Sequence, residues 1–143
     1  MEWTREDGYL ISTDKQRLDI DYICHWLSEQ SYWAQGRSPE TVEQSIANSL
    51  CFGLYHGSKQ VGFARVVTDL ATFGWLCDVF VDESERGHAL GKWLVQAVVN
   101  HPDLAQIGRL MLATRDAHEL YRKYGGFEML GNPERWMAKT QSV

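Results

Sequence analysis

The sequence predicts a mixed α/β (α+β) domain with a central, mostly antiparallel sheet flanked by helices. Three observations point there. Runs rich in β-branched and aromatic residues alternate with segments whose apolar residues recur at helical spacing. Three of the β-rich runs follow one another through short connections, which is the order of an antiparallel meander. A later run, Arg109 to Thr114, is separated from the third by a long amphipathic helix, the crossover that parallel pairing requires.

Each element has a local reason. Tyr9 to Ser12 reads as a first strand after Asp7-Gly8, and Thr13-Asp14 offer capping chemistry for a helical segment beyond them. From Leu18 to Ser28, the residues Ile20, Ile23, Trp26 and Leu27 fall on one helical face and Asp19 and Asp21 elsewhere. Ser38-Pro39-Glu40 places a capping hydroxyl, a proline at the first helical position and an acid in the first turn, opening a second helix from Pro39 to Asn48. Cys51 to Tyr55 and Gln60 to Val67, joined through His56-Gly57-Ser58-Lys59, read as a hairpin, and Thr72 to Val81 as the third meander strand. Leu90, Trp93, Leu94, Ala97 and Val98 form one apolar stripe on a helix that stops near His101-Pro102. Arg109 to Thr114 is a strand and Ala117 to Tyr124 a short helix. Phe127 to Leu130 and Arg135 to Ala138 are two terminal strands.

With 143 residues, the chain is expected to form one domain spanning 1–143. Its 44% hydrophobic and 23% charged residues are those of an ordinary folded domain and exclude disorder over most of its length. Fourteen Lys and Arg against nineteen Asp and Glu give a net charge of −5, which argues against nucleic acid as a partner. No window approaches the ~18 continuous apolar residues of a membrane span. The acidic start from Met1 to Asp7 has no apolar export core, and Cys24, Cys51 and Cys77 are widely spaced, as suits free thiols. A cytoplasmic protein without membrane contact is the expectation. His25, His56, His88, His101 and His118 lack zinc-ligand spacing, so no metal is expected. Exposed terminal strands would make a homodimer possible.

The chemistry-bearing segment is Arg86-Gly87-His88-Ala89-Leu90-Gly91-Lys92. It leaves a strand and opens a helix, a placement that aims backbone N–H groups outward at the positive end of the helix dipole and suits phosphate. Arg86, His88 and Lys92 add local positive charge to an acidic chain. The loop is neither a Walker A sequence, since Lys92 is not followed by Ser or Thr, nor the dinucleotide fingerprint, whose glycine spacing differs. Taken alone, Gly87 and Gly91 could equally serve a tight turn and close helix packing. Further on, Leu120-Tyr121-Arg122-Lys123-Tyr124-Gly125-Gly126-Phe127 is a short helix stopped by glycine and leading into a strand.

Together these two segments resemble the GCN5-related N-acetyltransferase (GNAT) family, whose splayed mixed sheet holds acyl-CoA between its fourth and fifth strands. Arg86, Ala89 and Gly91 match the family's pyrophosphate signature after the strand ending Phe80-Val81. Ala117, Leu120, Tyr121 and Gly126-Phe127 match its second signature. In two places the chain departs from the family. Thr114 stands where the family often has an asparagine that contacts the pantetheine arm, and Gly125-Gly126 lengthens the usual tyrosine-to-Gly-Phe spacing by one residue.

The resemblance implies an acetyl-CoA-dependent N-acetyltransferase that uses direct transfer in a ternary complex to a small-molecule amine. Such a transfer needs a neutral amine, stabilisation of the acyl oxygen and a proton donor for the departing thiolate. The resemblance implies that backbone N–H groups around Val79, Phe80 and Val81, freed by a strand bulge, hold the acyl carbonyl and pantetheine. It assigns Arg86 to Lys92, including Gly87, His88, Ala89, Leu90 and Gly91, to the pyrophosphate, with Thr114 on the pantetheine arm. Tyr121 is the expected acid, and Asp78 the expected base, acting directly or through water. Tyr32, Trp33 and Trp75 would form an aromatic substrate wall for an alkyl group or a cation, although tryptophans in a small domain more often fill the core. The competing readings are a non-catalytic acyl-CoA-binding or sensing module and a protein-interaction domain on the same fold.

Overall fold

The computed structural model describes residues 1–141. Six strands form one sheet in chain order: β1 (Glu2–Thr4), β2 (Tyr9–Ser12), β3 (Leu50–His56), β4 (Lys59–Thr68), β5 (Phe73–Val81) and β6 (Arg109–Met111). Neighbours from β1 to β5 are antiparallel, and β5 and β6 are parallel. The helices are α1 (Ile20–Glu29), α2 (Pro39–Ala47), α3 (Leu90–Asn100), α4 (Pro102–Ala105) and α5 (His118–Gly125). Asp19 caps α1 by accepting from the Tyr22 N–H, and Ser38 caps α2 from the Thr41 N–H with Pro39 next in line.

Two cores sandwich the sheet. On one face Ile23 and Leu27 of α1 and Val42 and Ile46 of α2 pack with Cys51, Phe63 and Phe80. On the other, Leu90, Leu94, Val95, Ala97 and Val98 of α3 pack with Ile11, Phe52, Leu54, Val66, Leu76 and Tyr121. The α3 stripe is the one the sequence spacing predicts, completed by Val95.

The expected strand at Tyr9 to Ser12, the hairpin, the third meander strand and the helices from Leu18, Pro39, Leu90 and Ala117 form within a few residues of their predicted ends. Three expectations need correction. β1 escaped notice because three residues, Glu2–Thr4, are too few for a period-2 signal. The strand expected from Arg109 to Thr114 stops at Met111, because β5 offers it pairing only along Phe73–Trp75. Phe127 to Leu130 and Arg135 to Ala138 do not form strands. With β6 only three residues long there is little edge to pair with, and Pro133–Arg135 coils into a 3-10 turn between them. Phe127 packs on the core, while Met129 and Met137 stand 80% and 96% exposed.

Candidate active site

β4 is regular where it meets the middle of β5, but β5 is not. Phe63 pairs with Phe80 and Arg65 with Cys77, so two residues, Asp78 and Val79, face Ala64 alone. This is a β-bulge. Asp78 adopts φ 52°, a left-handed conformation that Asp tolerates better than most residues because its short polar side chain finds local partners. On its other side β5 pairs with β6 only as far as Trp75, so beyond that point the two chain segments part and a cleft opens.

The cleft holds about 530 Å³ and brings together Tyr32, Trp33, Trp75, Asp78, Val79, Thr114 and Tyr121, all of them expected site residues. The expected loop residues lie outside its lining, as do Phe80 and Val81. Phe80 is a core side chain stacked on Trp26 at 4.0 Å, so it could serve a ligand only through its backbone.

Asp78 is the hub of the cleft floor. It is 3% exposed. Its Oδ1 accepts from the Trp33 indole N–H at 2.8 Å, and its Oδ2 accepts from Arg37 and from Arg65, each at 2.9 Å. Arg65 also donates to the Ser49 hydroxyl at 3.0 Å. One acid therefore ties together the connection between α1 and α2, strand β4 and the bulge. Arg65 was not among the expected site residues. The available signal was an arginine inside the apolar run Val61 to Val67.

Tyr121 is buried on α5, edge-on to Phe127 at 5.9 Å, and lies on the boundary between this cleft and a second hollow beneath α5. Loss of solvation, with a smaller contribution from Tyr32, pushes its phenol up to about 12. Tyr32 accepts from the Arg115 backbone N–H at 3.0 Å, and the Arg115 guanidinium lies 3.9 Å from its ring centroid. Tyr32 and Trp33 meet edge to face at 5.0 Å. The Thr114 hydroxyl accepts from the Ala117 N–H at 3.1 Å, which supports the start of α5 and leaves its own O–H pointing to no partner among the described residues.

The loop before α3 is shaped by backbone rather than side chains. Gly87 has φ 90° and Ala89 φ 56°, and α3 begins with no side-chain cap, so its first N–H groups lack an internal acceptor. A Cβ on Gly87 would meet nothing within 4 Å, so one side of the loop is open, whereas a Cβ on Gly91 would lie 3.9 Å from Leu120. Gly91 thus faces α5, where a Cβ would fit in ordinary contact. Among the described residues the Arg86 side chain bonds only to Glu83, at 3.5 Å, with both side chains well exposed, and the Lys92 ammonium lies 4.8 Å from the Tyr124 ring. Arg5 was not foreseen: it donates to the His88 carbonyl at 3.0 Å from 83 positions away and so fixes the loop from β1's end of the chain. No sequence signal joins the two.

Among the described residues, no group of three His, Cys, Asp or Glu side chains could hold a metal ion, and no helix is long and apolar enough to cross a membrane.

Comparisons with known proteins agree with this geometry. Residues 20–127 match the model of the acetyltransferase (GNAT) family. A candidate acetyltransferase of Gibberella zeae is 34% identical over 149 aligned positions, covering 88% of this chain and 82% of that protein. A crystal structure of a candidate GNAT acetyltransferase from Xanthomonas campestris pv. campestris superposes with a TM-score of 0.89 at 43% identity, over 93% of each chain. A candidate acetyltransferase of Clostridium acetobutylicum, solved with acetyl-CoA, shares the fold at a TM-score of 0.65 and 13% identity, over 98% of this chain and 96% of that one.

Proposed function

This chain belongs to the acetyltransferase (GNAT) family, and we propose that it moves the acetyl group of acetyl-CoA to the amine of a small molecule by direct transfer in a ternary complex. The observation that carries the reading is the parting of β5 from β6 beside the bulge, with Tyr121 across the gap and an uncapped helix start behind an open loop. When bound, acetyl-CoA supplies an acetyl thioester already activated toward an amine.

The residues present fit that group. Past Trp75 the β6-facing edge of β5 has no strand partner, so backbone groups at Val79 to Val81 are available to hold an acyl oxygen and an amide-bearing arm. Gly87 to Lys92 with Arg86 suit a pyrophosphate, the open Gly87 side admitting close approach and the α3 N-terminus supplying donors. Thr114 can donate to the arm between them.

Tyr121 stays protonated across physiological pH, because burial holds its phenol at about 12. Giving that proton wholly to the departing thiolate, a weaker base than so strongly raised a phenolate, would be uphill. Tyr121 therefore acts by donating a hydrogen bond to the sulfur as negative charge develops there, while the amine enters neutral and its N–H proton, acidified once the C–N bond forms, passes to the departing thiolate as the C–S bond breaks, leaving the amide and the CoA thiol. For Asp78, three donors on two oxygens favour a positioning role over proton acceptance. It fixes Trp33, Arg37 and Arg65 and anchors the bulge whose backbone faces the cleft. With all three cysteines free, the protein is suited to a reducing compartment such as the cytoplasm.

The test is calorimetric titration with acetyl-CoA, using desulfo-CoA and ATP as controls, followed by thiol-release assays over a panel of amines. Saturable binding of acetyl-CoA but not ATP, together with amine-dependent thiol release, is the expected result. No heat and no thermal shift at any attainable concentration would overturn the assignment.

A further inference from the structure

We infer that the acceptor amine carries an anionic group, a carboxylate or phosphate, on the same molecule, and that Arg37 and Arg65 recognise it. The inference rests on the acetyl-transfer reading of the cleft and adds the substrate class. Its basis is a charge imbalance. Two guanidiniums share the single carboxylate of Asp78, and both are mostly withdrawn from solvent, with side-chain exposures of 24% for Arg37 and 12% for Arg65. The other charged groups lining the cleft are Arg115 and Asp116, which lie 3.7 Å apart and offset each other. The floor is therefore left with one positive charge in excess, inside a chain whose net charge is −5.

Both arginines line the cleft and keep unused donors. Arg37 commits only Nη1 to Asp78, and its Nε and Nη2 have no acceptor among the described residues. Arg65 commits Nε to Asp78 and Nη1 to Ser49, leaving Nη2. Two part-buried guanidiniums with spare N–H groups and one carboxylate between them are a receptor for a further anion, which they can bind through charge-assisted hydrogen bonds. A cation is disfavoured, because the floor already carries an excess positive charge and the Tyr32 ring is covered by the protein's own Arg115.

The experiment measures thiol release from acetyl-CoA with matched acceptors: phenylalanine and phenethylamine, β-alanine and propylamine, phosphoethanolamine and ethanolamine, with spermidine as a polycation. The member of at least one pair that carries the carboxylate or phosphate is expected to exceed the partner lacking it in kcat/KM by about tenfold or more, the order expected for one charged hydrogen-bonding contact. The pair that shows the preference tells carboxylate from phosphate. Arg37→Gln should abolish the preference by raising the acceptor KM while the acetyl-CoA KM holds, and Arg37→Lys should retain part of it. Equal or better use of the amines lacking the anionic group, or of spermidine, by the unaltered protein overturns the inference and leaves acetyl transfer standing. A preference that survives Arg37→Gln overturns the role given to Arg37. If acetyl-CoA binds in the calorimeter but no anionic amine is acetylated, the substrate class is wrong; if acetyl-CoA itself does not bind, the underlying reading fails.

Discussion

Replacing Asp78 by asparagine separates a positioning carboxylate from a mere proton acceptor. Asn has nearly the same shape and tolerates the left-handed backbone at φ 52°, so the change removes the charge and little else. It leaves Arg37 and Arg65 beside each other with no counter-ion, and it offers an amide N–H₂ where one oxygen had accepted. Breaking a buried ion pair from one side costs about 3–5 kcal/mol. Arg37 retains roughly a quarter of its side-chain exposure and can regain some water, which places this case near the lower end, at about 3 kcal/mol. For a chain of 143 residues the unfolding entropy near the melting point is about 0.3 kcal/mol per kelvin, so the expected fall in Tm is about 10 °C. Differential scanning calorimetry at neutral pH reads this directly, without knowledge of any acceptor. A loss of less than about 3 °C, about 1 kcal/mol, would refute the hub and return Asp78 to consideration as a base whose removal affects rate alone.

Tyr121→Phe keeps the ring and its contact with Phe127, so acetyl-CoA affinity and neutral-pH stability should hold while kcat falls by ~10²-fold or more; an unchanged kcat removes Tyr121 from the mechanism. The same phenol, raised from 10 to about 12 on folding, keeps its proton longer in the folded than in the unfolded chain. Stability should therefore be fully present below pH 10 and decline as pH rises toward 12, by roughly 2–3 kcal/mol from this group, a decline that Tyr121→Phe lessens in alkaline melts. Arg86→Ala with Lys92→Ala should weaken acetyl-CoA binding and flatten its salt dependence, whereas unaltered calorimetric affinity would place the pyrophosphate elsewhere. Burial pushes the Cys77 thiol to about 11 although it lines the cleft, so at pH 8 iodoacetamide should modify it roughly 100-fold more slowly than a free thiol, and fast labelling would contradict this. Tyr55 buries a hydroxyl that has no partner among the described residues, so Tyr55→Phe should raise stability by about 1 kcal/mol, seen as a higher Tm.

Most of the fold was legible because periodicity and caps agree wherever elements are long. The α3 stripe, the Ser38-Pro39 start of α2 and the Gly57 turn each state one structure in both pattern and chemistry. What failed was short or depended on distant partners. Phe127 to Leu130 has strand composition, yet a strand needs an edge to pair with, and β6 offers three residues. The site divides the same way. The loop and Tyr121 are local patterns and were visible, whereas the clasp of Arg37 and Arg65 on Asp78 spans separations of 41 and 13 positions and could not be read from spacing.

The bulge explains why Asp78 stands where it does. In an uninterrupted strand, side chains at even positions share one face, so Leu76, Asp78 and Phe80 would lie together. Leu76 instead packs in the core beneath α3, and Phe80 in the core with α1 and α2. One extra residue between them reverses the face and allows both to be buried on opposite sides of the sheet. The sequence carried a trace of this, a charged residue at the parity of two core side chains, which a regular strand could not bury without cost. Once the bulge is present, Asp78 turns toward Arg37 and Arg65, and their attraction holds the left-handed residue that makes the bulge. Pairing the two large apolar side chains with their separate cores and opening a backbone edge to the cleft are thus one structural event. A substitution that restored regular pairing at Asp78 would have to bring Phe80 out of its stack with Trp26 as well.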